Sequence, residues 1–142
     1  MLLEFSVKNF LSFKEKTTFC MEAANGNENE ENVIIADNER ILKTTALYGA
    51  NASGKTNLIK AFTSAIMMVR KSSNRKVEEK LLEMMPFAFD EETIKQPCEF
   101  EFVFIVKGSK YIYGFIADQE KVYEEYLYQY FSAKPTRIFE RT

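Results

Sequence analysis

The residues with the clearest chemical capacity lie between Gly49 and Thr56, where the chain reads GANASGKT. This is the spacing G-x-x-x-x-G-K-[ST]. Gly49 and Gly54 can let the backbone curl until successive N–H groups converge on phosphate oxygens. A helix starting at the end of the loop would present its free N–H groups and partial positive charge to the same anion. Lys55 would add a full charge at the β- and γ-phosphates, and the Thr56 hydroxyl can ligate Mg²⁺. Gly49, Ala50, Asn51, Ala52, Ser53, Gly54, Lys55, Thr56 and Asn57 are therefore the candidate nucleotide-binding residues, and Thr56 the candidate metal ligand.

Such a loop needs a strand to feed it and a helix to receive it. Before it, Thr45 to Tyr48 form a short, partly β-branched apolar run that predicts a buried strand. After it, Leu58, Phe62, Ala65, Ile66 and Val69 recur at helical spacing, which predicts an amphipathic helix of about four turns. The fold class expected is mixed α/β (α+β): a strand–loop–helix phosphate site joined to an antiparallel β-meander. Five segments follow. Residues 1–22 read as a hairpin, with Leu3, Phe5 and Val7 alternating against polar neighbours, and 23–40 as an acidic, Asn-rich loop and connection. Residues 41–71 hold the strand, loop and helix, and 72–97 a second short helix around Val77 to Met85, closed by Pro86, with a linker. Residues 98–142 read as antiparallel strands, with a two-residue turn at Gly108-Ser109, a turn at DQEK and a last strand at RIFERT.

Composition narrows the chemistry. The 142 residues include no histidine, which removes imidazole relays and imidazole metal ligands. Cys20 and Cys98 fit no metal or redox spacing, and reduced core thiols are expected. A net charge of −2 gives no general basic field for nucleic acid. The 13 Phe and 7 Tyr favour sheet. The start, MLLEFSVKNF, is unlike a signal peptide, and no apolar run approaches the ~18 residues of a membrane span, so a cytoplasmic location without membrane contact is expected.

The stretch LYGANASGKTNLIKA resembles the Y-G-x-N-x-S-G-K-[ST]-N-L loop of RecF-like and SMC-like ATPases. More closely still, it resembles the bacterial AAA-type ATP-binding proteins related to the overcoming-lysogeny-defect group. Asn51 and Ser53 are the discriminating positions, and Asn57-Leu58 extend the match. The opening MLLEFSVKNFLSF is similar to the first strand and N-F-x-S-F turn of those ATPase heads. The stretch PFAFDEE to EFEFVFIVKGSKYIYGF looks like the antiparallel sheet covering the nucleotide. The resemblance implies ATP and Mg as cofactors, a homodimer through ATPase heads, and work in DNA repair or phage defence beside DNA and a nuclease. Where SMC-like heads often carry Arg or Lys before the serine of the opening turn, this chain has Leu11, leaving Ser12 and Lys14 as weaker nucleotide contacts; Phe10 and Phe13 read as packing residues.

Hydrolysis needs a water-activating acid, which in the resembled family ends an apolar run behind a Ser-Gly-rich signature segment. Phe87 to Glu91, ending in Asp90-Glu91, and Ile34 to Asp37 mimic that motif without its context, so both read as loop acids. Gln119 and Gln129 likewise lack the setting of a metal-sensing glutamine. No catalytic residue is assigned. The expectation is the N-terminal lobe of a longer ATPase, with a non-hydrolytic sensing or dimerisation module as the alternative. A kinase or GTPase fits the loop less well. The aromatics from Phe100 to Tyr130 read as core rather than base-stacking groups, and Arg70, Lys71, Arg75 and Lys76 as the better DNA or partner contact.

Overall fold

The computed structural model describes residues 1–26, 29–72, 79–131 and 134–142. The opening hairpin forms as expected. Strand β1 (Leu2–Lys8) pairs antiparallel with β2 (Thr17–Cys20). Two short strands follow, β3 (Val33–Ala36) and β4 (Glu39–Leu42), then one helix, α1 (Lys55–Ser72), and the meander β5 (Cys98–Val106), β6 (Ser109–Ala117), β7 (Val122–Tyr130) and β8 (Pro135–Arg141). The large sheet runs β2-β1-β5-β6-β7-β8, antiparallel throughout, and β3-β4 form a separate hairpin.

Two tight turns obey backbone sterics. Lys107 and Gly108 both have positive φ (50° and 77°), so the β5–β6 turn is the mirror-image kind whose twist matches the flanking strands. It sits one residue earlier than Gly108-Ser109, because Ser109 already pairs with Val106. Asp37 and Asn38 (φ 53° and 63°) make the equivalent turn between β3 and β4, the role Asx residues tolerate best.

The core has two parts. Phe5, Val7, Phe100 and Phe115 of the sheet pack with Ala61, Ala65 and Met68 of α1. Small residues at 61, 64 and 65 let the helix lie close, and Phe62 meets Phe5 edge-on at 5.1 Å and Phe102 at 5.5 Å. Leu3, Val103 and Ile105 instead join Ile41 of the small hairpin. A register shift between Leu2 and Glu4 breaks the simple alternation of β1, which is why Leu3 parts from Phe5 and Val7. The buried face of α1 is also rotated from the expected one: Ile66 and Val69 remain exposed, while Ala61, Ser64 and Met68 are covered.

Three further expectations need correcting. Thr45 to Tyr48 form no strand and are exposed, Tyr48 at 92% and Leu47 at 42%. Among the described residues no strand pairs with this run, so its backbone has no ladder. Its start is fixed by Asn32, whose side chain donates to the Thr44 carbonyl and accepts from the Thr44 N–H. The second helix is absent from residues 79–85, which are irregular apart from a turn at Leu82 and Glu83; residues 77 and 78 lie outside the described residues. There the segment is pinned from without: the Leu81 N–H donates to the Gln119 carbonyl, and Gln119 Nε2 to the Met84 carbonyl. Finally, only Cys98 is a core thiol, pushed up to about 12 by burial and then by Asp118, whereas Cys20 is exposed.

Tyr126 of β7 lies across Gly114 of β6 to donate its hydroxyl to Glu101 of β5, at 2.7 Å. A Cβ at Gly114 would overlap that ring. Gly114→Ala should cost about 1–3 kcal/mol in urea denaturation, and most of that penalty should vanish in a Tyr126→Ala background.

Candidate functional site

The loop joins α1 directly. Lys55 is the first helical residue, and the Leu58 N–H donates to the Gly54 carbonyl at 3.0 Å to close the first turn. Left-handed backbone at Ala52 (φ 63°) and Gly54 (φ 92°) produces the tight reversal that feeds the helix. Only glycine takes the Gly54 conformation without cost, and a Cβ there would also press on Ser12 Oγ at 3.2 Å. A Cβ at Gly49 would meet Ser53 Oγ at 2.7 Å. Both glycines of the motif thus answer to local geometry.

The Lys55 ammonium turns back over the loop. It donates to the carbonyls of Gly49 and Ala50, each at 2.7 Å, with Ser53 Oγ at 3.4 Å. The first turn of α1 carries no acidic residue, whereas Arg70 and Lys71 lie in its last turn. The positive end of the helix is therefore reinforced by Lys55 and opposed by no carboxylate of its own first turn, which is the electrostatics an anion requires. Gly49, Ala50, Asn51, Ala52, Ser53 and Thr56 are exposed, so the loop is open to a phosphate chain. These residues fit a bound nucleotide with its metal.

Asn57 points elsewhere. Its Nδ2 donates to Ser12 Oγ at 3.0 Å, which brings the opening turn of the chain against the loop. Lys14 is committed to Asp90 at 2.8 Å. Phe10 and Phe13 pack as expected, Phe10 fully buried and 5.3 Å from Phe100. The residue to which sequence reasoning gave no role is Asn9, the first of the N-F-x-S-F turn and 2% exposed. Its Nδ2 faces the carbonyls of Thr93, Gln96 and Pro97, and its Oδ1 accepts from the Phe87 N–H. A polar residue directly after a half-buried strand was the available signal.

The two acidic look-alikes have structural employment. Asp90 accepts from Lys14 and from the N–H groups of Glu92 and Thr93. Asp37 sits in the β3–β4 turn. Gln119 staples the 81–84 turn, and Gln129 lies within β7 opposite Tyr111 and Thr136. Of the basic cluster, Lys71 pairs with Glu83 at 3.1 Å, and Arg75 and Lys76 lie outside the described residues. The meander tyrosines spend their hydroxyls on carboxylates, Tyr113 on Glu125 and Tyr128 on Glu140.

A family profile described as "AAA domain, putative AbiEii toxin, Type IV TA system" matches residues 44–142, a span that begins just before the loop and takes in α1 and the whole meander. The chain belongs to this AAA-domain family. An AAA domain implies an ATP-binding, ATPase-like module with a phosphate-loop fold. No curated protein matches the chain. Among the described residues of this AAA domain, no helix is long and apolar enough to cross a membrane.

The Lys14–Asp90 tie has a defined acid limit. The hydrogen bond from Lys14, then those from Thr93 and Glu92, lower the Asp90 carboxyl from 3.8 to about 2. A depressed acid contributes stability above its unfolded pKa and loses it as pH falls through the folded one. NMR titration of Asp90 should therefore show the carboxylate persisting below pH 3.8 and protonating near about 2; Lys14→Ala should move the midpoint back up.

Proposed function

We propose that residues 49–57 bind the triphosphate of ATP with Mg²⁺, and that the chain is the nucleotide-holding lobe of a RecF/SMC-like ATPase. The observation that carries this reading is the placement of Lys55: its ammonium lies over the loop at the mouth of an α1 N-terminus free of first-turn acids. Backbone N–H groups of the loop would hold the phosphate oxygens, Lys55 would neutralise the β- and γ-phosphates, and Thr56 would take one position on the metal. The metal, when bound, draws charge from the phosphate oxygens. Asn51 and Ser53 favour an ATPase head over a kinase or GTPase, in keeping with the AAA-family match.

Turnover in this reading belongs to a full-length, dimeric form, since Lys14 holds the Asp90 carboxylate and Asp37 lies in the β3–β4 turn, away from the loop in sequence. The same observation favours the second reading, a module that senses ATP without hydrolysing it. DNA repair or phage defence, with DNA and a nuclease as partners, in the cytoplasm, completes the proposal and rests on the resemblance.

Titration with a fluorescent ATP analogue and Mg²⁺ should give saturable binding to the 142-residue chain. Lys55→Ala should weaken it by about tenfold or more, the worth of a charge-assisted contact to phosphate. Equal binding by the variant would refute the site. Phosphate release should stay at trace level; robust turnover would return Asp90 or Asp37 to candidacy.

A further inference from the structure

The turn between β1 and β2 is built against backbone preference. Asn9 and Leu11 both carry left-handed φ, 51° and 49°, and for a bulky residue such as Leu11 that conformation is strained. Strain of this kind persists only where the surroundings over-determine it. Here they do. Asn9 is locked by its four side-chain hydrogen bonds to the 87–97 segment, the Leu11 N–H donates to the Met85 carbonyl at 2.9 Å, and Phe10 and Phe13 exchange backbone hydrogen bonds at 2.9 and 2.8 Å. Lys14 closes the turn onto Asp90.

The residue displayed by this effort is Ser12, which is exposed and belongs to no core cluster. Its hydroxyl accepts from Asn57 and lies 3.2 Å from where a Cβ on Gly54 would stand. It thus touches the loop at its last glycine and the helix at its first turn.

We infer that Ser12 is a positioning residue for the phosphate site: it fixes the α1 N-terminus against the rigid sheet through Asn57, so that loop and helix dipole share one alignment. This rests on the proposed nucleotide reading and deepens it. A cradle of backbone donors binds well only if its alignment is set beforehand, since ordering it on binding subtracts from affinity. Removing the hydroxyl leaves the loop backbone, Lys55 and Thr56 in place and loosens their common frame.

The test is Mg-ATP affinity, by calorimetry on the 142-residue chain, for Ser12→Ala, Asn57→Ala, their double variant and Ser12→Thr, with Lys55→Ala as reference and melting midpoints alongside. Ser12→Ala and Asn57→Ala should each weaken binding about two- to tenfold, the range one net hydrogen bond supplies. The double variant should be no weaker than either single one, because both remove the same contact. Ser12→Thr should restore binding, and midpoints should fall by no more than the few degrees that one exposed hydrogen bond supplies. Wild-type affinity in Ser12→Ala while Lys55→Ala has lost binding would overturn the positioning role and leave the phosphate site standing. So would multiplying losses in the double variant, or a Ser12→Thr variant as weak as Ser12→Ala. Absence of Mg-ATP binding by the wild type would overturn both proposals together.

Discussion

The pairing of β1 with β5 is the constraint from which the remaining geometry follows. It joins residues about a hundred positions apart, with Phe5 opposite Phe102 and Val7 opposite Phe100, and turns a hairpin and a meander into one sheet. Loop closure over that distance is entropically costly, and it is offset by burying Phe5, Val7, Phe100 and Phe115 beneath α1. Once β1 is in place, the turn that follows it must lie beside the start of α1. The contact of Ser12 with Asn57 and the seat of Gly54 are consequences of that strand pairing. So is the reach of Asn9 into the 87–97 segment.

Electrostatics divides the molecule in two. Around the meander, acids are consumed by neighbours: Glu101 takes Lys16 and Tyr126, Glu125 takes Arg141 and Tyr113, Glu140 takes Tyr128. Burial and these carboxylates both push the Tyr113 and Tyr126 hydroxyls upward, so they serve as hydrogen-bond donors across the sheet. At the loop the pattern reverses. The first turn of α1 has no acid, and a lysine ammonium stands over the loop. An AAA domain that binds a polyanion needs this separation, since a carboxylate in that turn would oppose the phosphate charge.

The meander was legible because period-two aromatics and short polar turns are local signals, and β5 to β8 fall where they were read, with the first turn displaced by one residue. Helix α1 was legible for the same reason in its extent, though not in its buried face. What escaped depended on partners remote in sequence. Thr45 to Tyr48 have strand composition, yet a strand exists only with a neighbour to pair with, and none of the described strands lies there. Helical periodicity after Glu79 yielded to hydrogen bonds from Gln119. Asn9 and Ser12 stand in the N-F-x-S-F turn, yet the partners that give them their roles appear only when residues 57 and 87–97 are brought beside them.

The most direct test of the account is backbone amide chemical-shift mapping of the 142-residue chain as Mg-ATP is added. If the loop and helix terminus hold the phosphates, the largest saturable shifts will fall on the N–H groups from Gly49 to Asn57, with smaller ones at Ser12. An apolar groove of about 630 Å³ lies between Phe62, Val69, Leu127 and Phe139. Shifts centred there, with Gly49 to Asn57 unmoved, would contradict the account.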